Sequence, residues 1–362
     1  MPSHCVAAVC SLALIAPAQQ VEDLAGLLRP VRAARGVPAL GVAVLVDGAL
    51  AGLGVDGVRK VGAAAPVERD DRWHLGSCTK AMTATWLAML VEDGRLRWDT
   101  TMAEGLPDLR ERLHESAGAI TVARLLQHRA GIPAAPPPAL WAELFRYEGG
   151  DRAARTDVAQ ALLGAEVEAP LGERFLYSNA GYMIAGAVGE RAAAAGWQQQ
   201  LQARLFAPLG MKRVGFGPPG DPETVDQPWG HRRRGEQSVP VFADNPSSMG
   251  PAGTVHASLG DWAKFAALHL GVVGDAPLLQ RASLKALHTP PDEGPYALGW
   301  VVTRRAWAPG PILTHSGSNT MWHCVAWLAP EARFGVLVAC NEGDAAAACD
   351  EVAAACIRRY RR

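Results

Sequence analysis

The stretch "GSCTKAMTATW", Gly76 to Trp86, sets a serine and a lysine three residues apart at the head of a run of small and apolar residues at helical spacing. Three residues is close to one helical turn, so Ser77 and Lys80 share a face. Lys80 heads towards the side that a core would take, where an ammonium is costly unless burial lowers its pKa. Ser77 opens the helix, where free N–H groups and the positive dipole end lie, a place suited to a developing oxyanion. A serine hydroxyl is a poor nucleophile until its proton is taken. A lysine of lowered pKa can take it, and an arginine effectively cannot. An N-cap serine beside a snorkelling lysine has the same spacing, so the pair needs partners to carry chemistry.

Two further stretches supply them. "FLYSNAGY" holds Tyr177-Ser178-Asn179, the chain's single Y-x-N. Tyr177 is placed to pass a proton between Ser77, Lys80 and a leaving group, and Asn179 to bind a substrate amide and orient Lys80. A packed tyrosine with an Asx turn is the plain alternative. "ILTHSGSN" holds His315-Ser316-Gly317. H-x-G also occurs at His74-Leu75-Gly76 and His269-Leu270-Gly271, but only the third copy lies between two strand-like runs. Gly317 is expected to let a substrate backbone approach an edge strand. The N–H of Ser318 then joins that of Ser77 as an oxyanion hole.

Outward from these stretches, Val21 to Ala34 reads as an amphipathic helix, and "LGVAVLVDGALAGLGV" as two strands joined at Asp47-Gly48. "RWHLG" is a short extended piece. The helix from Ser77 runs to about Asp93 and stops at Gly94, and another starts at the N-cap Thr121. The middle of the chain is helical, with proline-rich loops. From Pro295 the runs "YALGWVVT", "HCVAWLA" and "RFGVLVAC" are strand-like, and a helix follows from Ala345. The expected fold is α/β (α+β): an antiparallel sheet flanked by N- and C-terminal helices, with an inserted, mostly helical lobe. The sheet lobe takes about 19–76 and 254–362, the helical lobe about 77–253. G-x-G-x-x-G occurs at Gly52-Gly54-Gly57 and Gly215-Gly217-Gly220, in a hairpin and beside two prolines, neither the strand–turn–helix context of a dinucleotide site. G-x-S-x-G is absent.

Of the 362 residues 49% are apolar and 20% charged, and the net charge is −1, so nothing points to nucleic acid or an acidic membrane surface. No apolar run reaches membrane-spanning length. "MPSHCVAAVCSLALIAPAQQ" reads as a signal peptide over 1–18, with Ala16-Pro17-Ala18 as cleavage site but no basic start; a packed N-terminal helix is the alternative. Export to the periplasm or medium is expected, and a cytoplasmic location otherwise. Of seven cysteines, Cys349 and Cys356 lie about 10.5 Å apart on one helix, too far to bridge. Without C-x-x-C or H-E-x-x-H, no metal and no cofactor is expected.

Taken in this order, Ser77/Lys80, Tyr177/Asn179 and His315-Ser316-Gly317 resemble the motifs of the serine β-lactamase and penicillin-binding-protein superfamily. They are most similar to its branch of class C β-lactamases, D-alanyl-D-alanine carboxypeptidases, D-aminopeptidases and esterases. "LLQHRAGIP", "APLGMKRVGF", "GPAGTVHASLGDWAKF" and "YALGW" extend the likeness over most of the chain. The resemblance implies Ser77 as nucleophile, Lys80 as general base and Tyr177 as proton shuttle. It implies Asn179, His315, Ser316, Gly317 and Ser318 as substrate contacts. Expected partners are small esters, amides or peptides, D-amino-acid peptides among them, with no oligomeric state implied. β-Lactamases of this branch usually have lysine where His315 stands, and a mostly neutral imidazole attracts a carboxylate less. "NTMWHCVA" after Ser318 is bulkier than the branch's usual turn. A class C-like β-lactamase, or a non-catalytic cell-wall peptide-binding member, are the alternatives. Cys78, about 100° round the helix from Ser77, is expected to pack rather than react.

Overall fold

The computed structural model describes residues 20–272 and 277–361, so the N-terminal signal expected over 1–18 lies outside the described residues. Strands β1 (Glu22–Asp23), β2 (Ala39–Val46) and β3 (Ala49–Gly57) precede β4 (Arg72–His74). Then come β5 (Val214–Phe216), β6 (Gly230–Arg234), β7 (Gln237–Val241) and β8 (Val255–Ser258). Near the C-terminus lie β9 (Val301–Thr303), β10 (Ile312–Ser318), β11 (His323–Ala329) and β12 (Phe334–Cys340). One seven-stranded sheet runs β1-β3-β2-β12-β11-β10-β9, antiparallel except where β1 joins β3. Smaller sheets are β4-β8-β5 and β6-β7.

The central strands read as unbroken apolar runs because both sheet faces are covered. On β2, Leu40, Val42 and Val44 face one core while Ala39, Ala43 and Leu45 face the other, the period of two a strand imposes. The first core is closed by α1 (Ala25–Arg35) and the C-terminal helix α4 (Ala346–Tyr360). The second is closed by Leu259–His269 and by α2 (Thr79–Glu92), whose residues from Thr79 to Leu90 are all buried. A helix apolar all round belongs inside. It ends at Gly94, in the left-handed region at φ 69°. The hairpin turns on Asp47 (φ 52°) and Gly48 (φ 78°), the two positive values a type I′ turn requires.

Three elements differ from the sequence-based expectation. The first helix starts at Ala25, because Glu22–Asp23 pairs with β3 and the Asp23 carboxylate accepts from the Ala25 N–H. Ser77 sits in a single 3₁₀ turn, Gly76–Cys78, and the α-helix proper begins at Thr79. In "YALGWVVT" only Val301–Thr303 is strand. Gly299 (φ 84°) brings the chain so close to α2 that a Cβ would lie 2.8 Å from Ala81 Cα, which forbids a regular ladder there. Gly52 and Gly54 of the first G-x-G-x-x-G let the start of α1 lie on the sheet: a Cβ on Gly54 would meet the Leu24 carbonyl carbon at 2.5 Å.

Candidate active site

β4 delivers the chain to Leu75, whose N–H donates to the Val255 carbonyl at 2.8 Å, and the 3₁₀ turn then presents Ser77. Ser77 Oγ lies 3.0 Å from Lys80 Nζ and accepts from the Tyr177 hydroxyl at 2.8 Å. Lys80 is fully buried, and its ammonium also reaches Asn179 Oδ1 at 2.7 Å and the Ala252 carbonyl at 2.8 Å. The Tyr177 and Tyr182 rings flank it at 4.9 and 5.3 Å from their centroids. Burial pulls Lys80 down to about 7, so a substantial share of it is the free amine at neutral pH. Tyr177 is 38% exposed as a whole, but desolvation around its phenol pushes it up to about 12, so it remains a proton donor. The site thus sets an amine able to accept a proton and a phenol able to give one on the same hydroxyl oxygen.

Tyr177 and Asn179 reach the serine because of what flanks them. Ser178 Oγ accepts from the Gly181 N–H at 2.8 Å, a side-chain N-cap that makes Asn179 the first residue of helix α3 (Asn179–Ala193). His128 holds the other side. Its carbonyl accepts from Leu176 N–H at 2.8 Å, its Nδ1 from Ser178 N–H at 3.0 Å, and its ring packs on Tyr177 at 4.2 Å between centroids. His128 sits at φ 58°, a conformation a non-glycine residue adopts at some cost and that recurs at functional sites.

β10 forms the opposite wall. β9 pairs only with Ile312–Thr314, so from His315 onward that edge of β10 has no strand partner among the described residues. Alternation along β10 puts Ser316 and Ser318 on the exposed side and turns His315 and Gly317 inward. For both inward residues this revises the expected role. A Cβ on Gly317 would lie 2.0 Å from the Leu75 carbonyl oxygen and 3.0 Å from the Cys78 amide nitrogen, so the glycine admits the serine turn rather than a substrate. His315 is 6% exposed, and both its nitrogens are engaged: Nδ1 lies 2.6 Å from the Ser316 carbonyl and Nε2 2.7 Å from the Tyr296 hydroxyl. The carbonyl requires a donor and so fixes the proton on Nδ1, which leaves Nε2 to accept from Tyr296. No ring nitrogen is free to meet a substrate carboxylate.

Cys78 is buried, with its thiol donating to the His315 carbonyl and 3.5 Å from Cys324 Sγ. Among the described residues no His/Cys/Asp/Glu group is arranged to hold a metal, and no helix is long and apolar enough to cross a membrane. The Ala252 carbonyl, His128, Tyr296 and Ser178 escaped the sequence reading. Of these only Ser178, directly before a helical run, carried a legible signal, that of an N-cap.

The family model described as Beta-lactamase matches residues 24–355. Penicillin-binding protein 4 of Amycolatopsis lactamdurans is 32% identical over 69% of this chain and 65% of its own length. The chain thus spans just under two thirds of that relative. In structure the chain is similar to SurE, with TM-score 0.76 and 25% identity, over 93% of this chain and 75% of that one. A β-lactamase/D-alanine carboxypeptidase from Pseudomonas syringae superposes with TM-score 0.75 and 20% identity, covering 92% and 97% of the two chains, a likeness of fold.

Proposed function

The chain belongs to the β-lactamase family, and from that premise we propose that it is a serine hydrolase working through an acyl-enzyme on small amides or esters, D-amino-acid peptides among them. The observation that carries the reading is Ser77 Oγ set between Lys80 Nζ at 3.0 Å and the Tyr177 hydroxyl at 2.8 Å. Lys80, as the free amine, accepts the Ser77 proton while Oγ attacks the carbonyl carbon. The tetrahedral oxyanion is received by the N–H groups of Ser77 and Ser318. Tyr177 gives its proton to the leaving nitrogen or oxygen and is reprotonated from Lys80. Water then attacks the ester at Ser77, with the same two groups acting in reverse.

Asn179 contacts Lys80 and stands at the start of α3, where its amide N–H₂ remains for a substrate carbonyl. Ser316 and Ser318 present the open edge of β10. Efficient β-lactamase action is the weaker reading, because His315 faces inward and offers no cation to a carboxylate. A purely binding role is disfavoured by the lowered Lys80, which a binding site does not require. Export belongs to this proposal, with the mature chain starting at or near Gln19. N-terminal sequencing of protein from the native host checks it, and intact Met1 protein in the cytosol would overturn it.

The test of the whole is intact-mass analysis after a fluorophosphonate, with p-nitrophenyl acetate, a chromogenic cephalosporin and a D-alanyl-D-alanine peptide as substrates. One adduct on wild type and none on Ser77→Ala is expected, together with loss of about 10⁶ in turnover. An adduct of equal yield on Ser77→Ala would refute it.

A further inference from the structure

We propose that Asp244 and His74 are positioning residues that hold the Ser77 and Ser318 amides at the spacing of the oxyanion hole; the inference rests on the serine-hydrolase reading. The His74 and Asp244 side chains are 0% and 4% exposed, and His74 Nε2 lies 2.7 Å from Asp244 Oδ2. His74 Nδ1 accepts from the Gly76 N–H at 3.1 Å. An amide can only donate, so the imidazole proton is on Nε2 and points to the carboxylate. The dyad therefore has no free nitrogen with which to act as base on Ser77. What it does is fix the Leu75–Gly76 peptide plane. Gly76 follows at φ 45°, and together these aim the next peptide, whose N–H is that of Ser77. Gly76 is also pressed on β10: a Cβ there would lie 2.4 Å from Ser318 N.

The same carboxylate reaches the second donor. Asp244 Oδ1 accepts from Asn319 Nδ2 at 3.0 Å and from the Asn245 N–H at 2.8 Å. Asn319 Oδ1 accepts in turn from the Met321 N–H at 3.2 Å. Between them Thr320, a β-branched residue, is held at φ 74°, and its N–H donates to Ser318 Oγ at 2.9 Å. Such a conformation persists only where its surroundings impose it. One buried carboxylate thus ties the turn before the first donor to the turn after the second. A donor out of place weakens an oxyanion far more than a ground-state carbonyl.

The experiment compares wild type, Asp244→Asn and Asn319→Ala. Asp244→Asn keeps the volume but sets an amide N–H₂ against one of three donors. An aryl boronic acid, which becomes a tetrahedral anion on Ser77, reads the hole directly. Boronate affinity and kcat for an ester should both fall about ten- to a hundredfold in Asp244→Asn, with KM within about twofold. In Asn319→Ala, which leaves the dyad intact, both should fall several-fold. Melting temperature and circular dichroism give the folded fraction, and Asn319→Ala carries the test if Asp244→Asn does not fold. Boronate affinity and kcat within about twofold of wild type, or a loss no larger than the loss of folded protein, would overturn the positioning role. If wild type itself neither binds the boronate nor takes a fluorophosphonate, the serine-hydrolase reading falls instead.

Discussion

Gly317 and the carbonyl of Leu75 are in such close contact that a Cβ on the glycine would lie 2.0 Å from that oxygen. The sheet edge and the turn that carries Ser77 are therefore one packed unit. Gly317→Ala must push them apart, and the Leu75 carbonyl accepts from the Cys78 N–H at 3.0 Å, so its displacement also disturbs the turn that carries the serine. We expect destabilisation of about 1–3 kcal/mol from overpacking and loss of most acylation, seen as a lowered melting temperature and slow fluorophosphonate labelling. An alanine variant that labels at the wild-type rate would show that the turn adapts freely.

As the proposed base, Lys80 should make the rate rise with pH. Its charged form is disfavoured by burial, so its pKa falls to about 7, and the free amine predominates only above that. Tyr177, held up at about 12, stays protonated throughout the neutral range. The logarithm of kcat/KM should climb with unit slope below about 7 and level off above it, with no descending limb from Tyr177 before about 11. Lys80→Arg, always charged, should be nearly inactive in acylation at every pH of the profile. An ascending limb centred above about 9 would contradict a lysine of lowered pKa.

As the proposed proton donor, Tyr177 should matter in proportion to how much the leaving group needs a proton. An amine leaves only when protonated, whereas p-nitrophenolate leaves as the anion. Tyr177→Phe should therefore cost about 10²–10³ in kcat/KM on amides and about tenfold or less on the aryl ester. Equal losses on both, measured with the same preparation, would assign Tyr177 a packing role alone.

His315 is closed to substrate by Tyr296, whose hydroxyl is 2.7 Å from Nε2. The ratio of kcat/KM for carboxylate-bearing to uncharged esters should thus stay within about twofold across roughly pH 5 to 8 in wild type. A ratio that varies in wild type would mean that His315 turns out to the substrate unaided.

The motifs and their order were legible because each is local. The one-turn spacing of Ser77 and Lys80 holds whether that turn is 3₁₀ or α, and the N-cap at Thr121 and the turn at Asp47-Gly48 depend on near neighbours only. The two-sided burial of β2 and β12 also follows from composition, since an unbroken apolar strand must be covered on both faces. Which side of β10 a residue faces was beyond the sequence. A strand's period of two is fixed, but its phase is set by packing, and packing turned His315 and Gly317 inward against Tyr296 and Leu75. The same holds for Lys80, whose three acceptors come from residues 77, 179 and 252. The sequence could name a lysine that ought to be buried. Only the tertiary structure decided which oxygens meet it, because desolvation and hydrogen bonding are properties of neighbours brought together from distant parts of the chain.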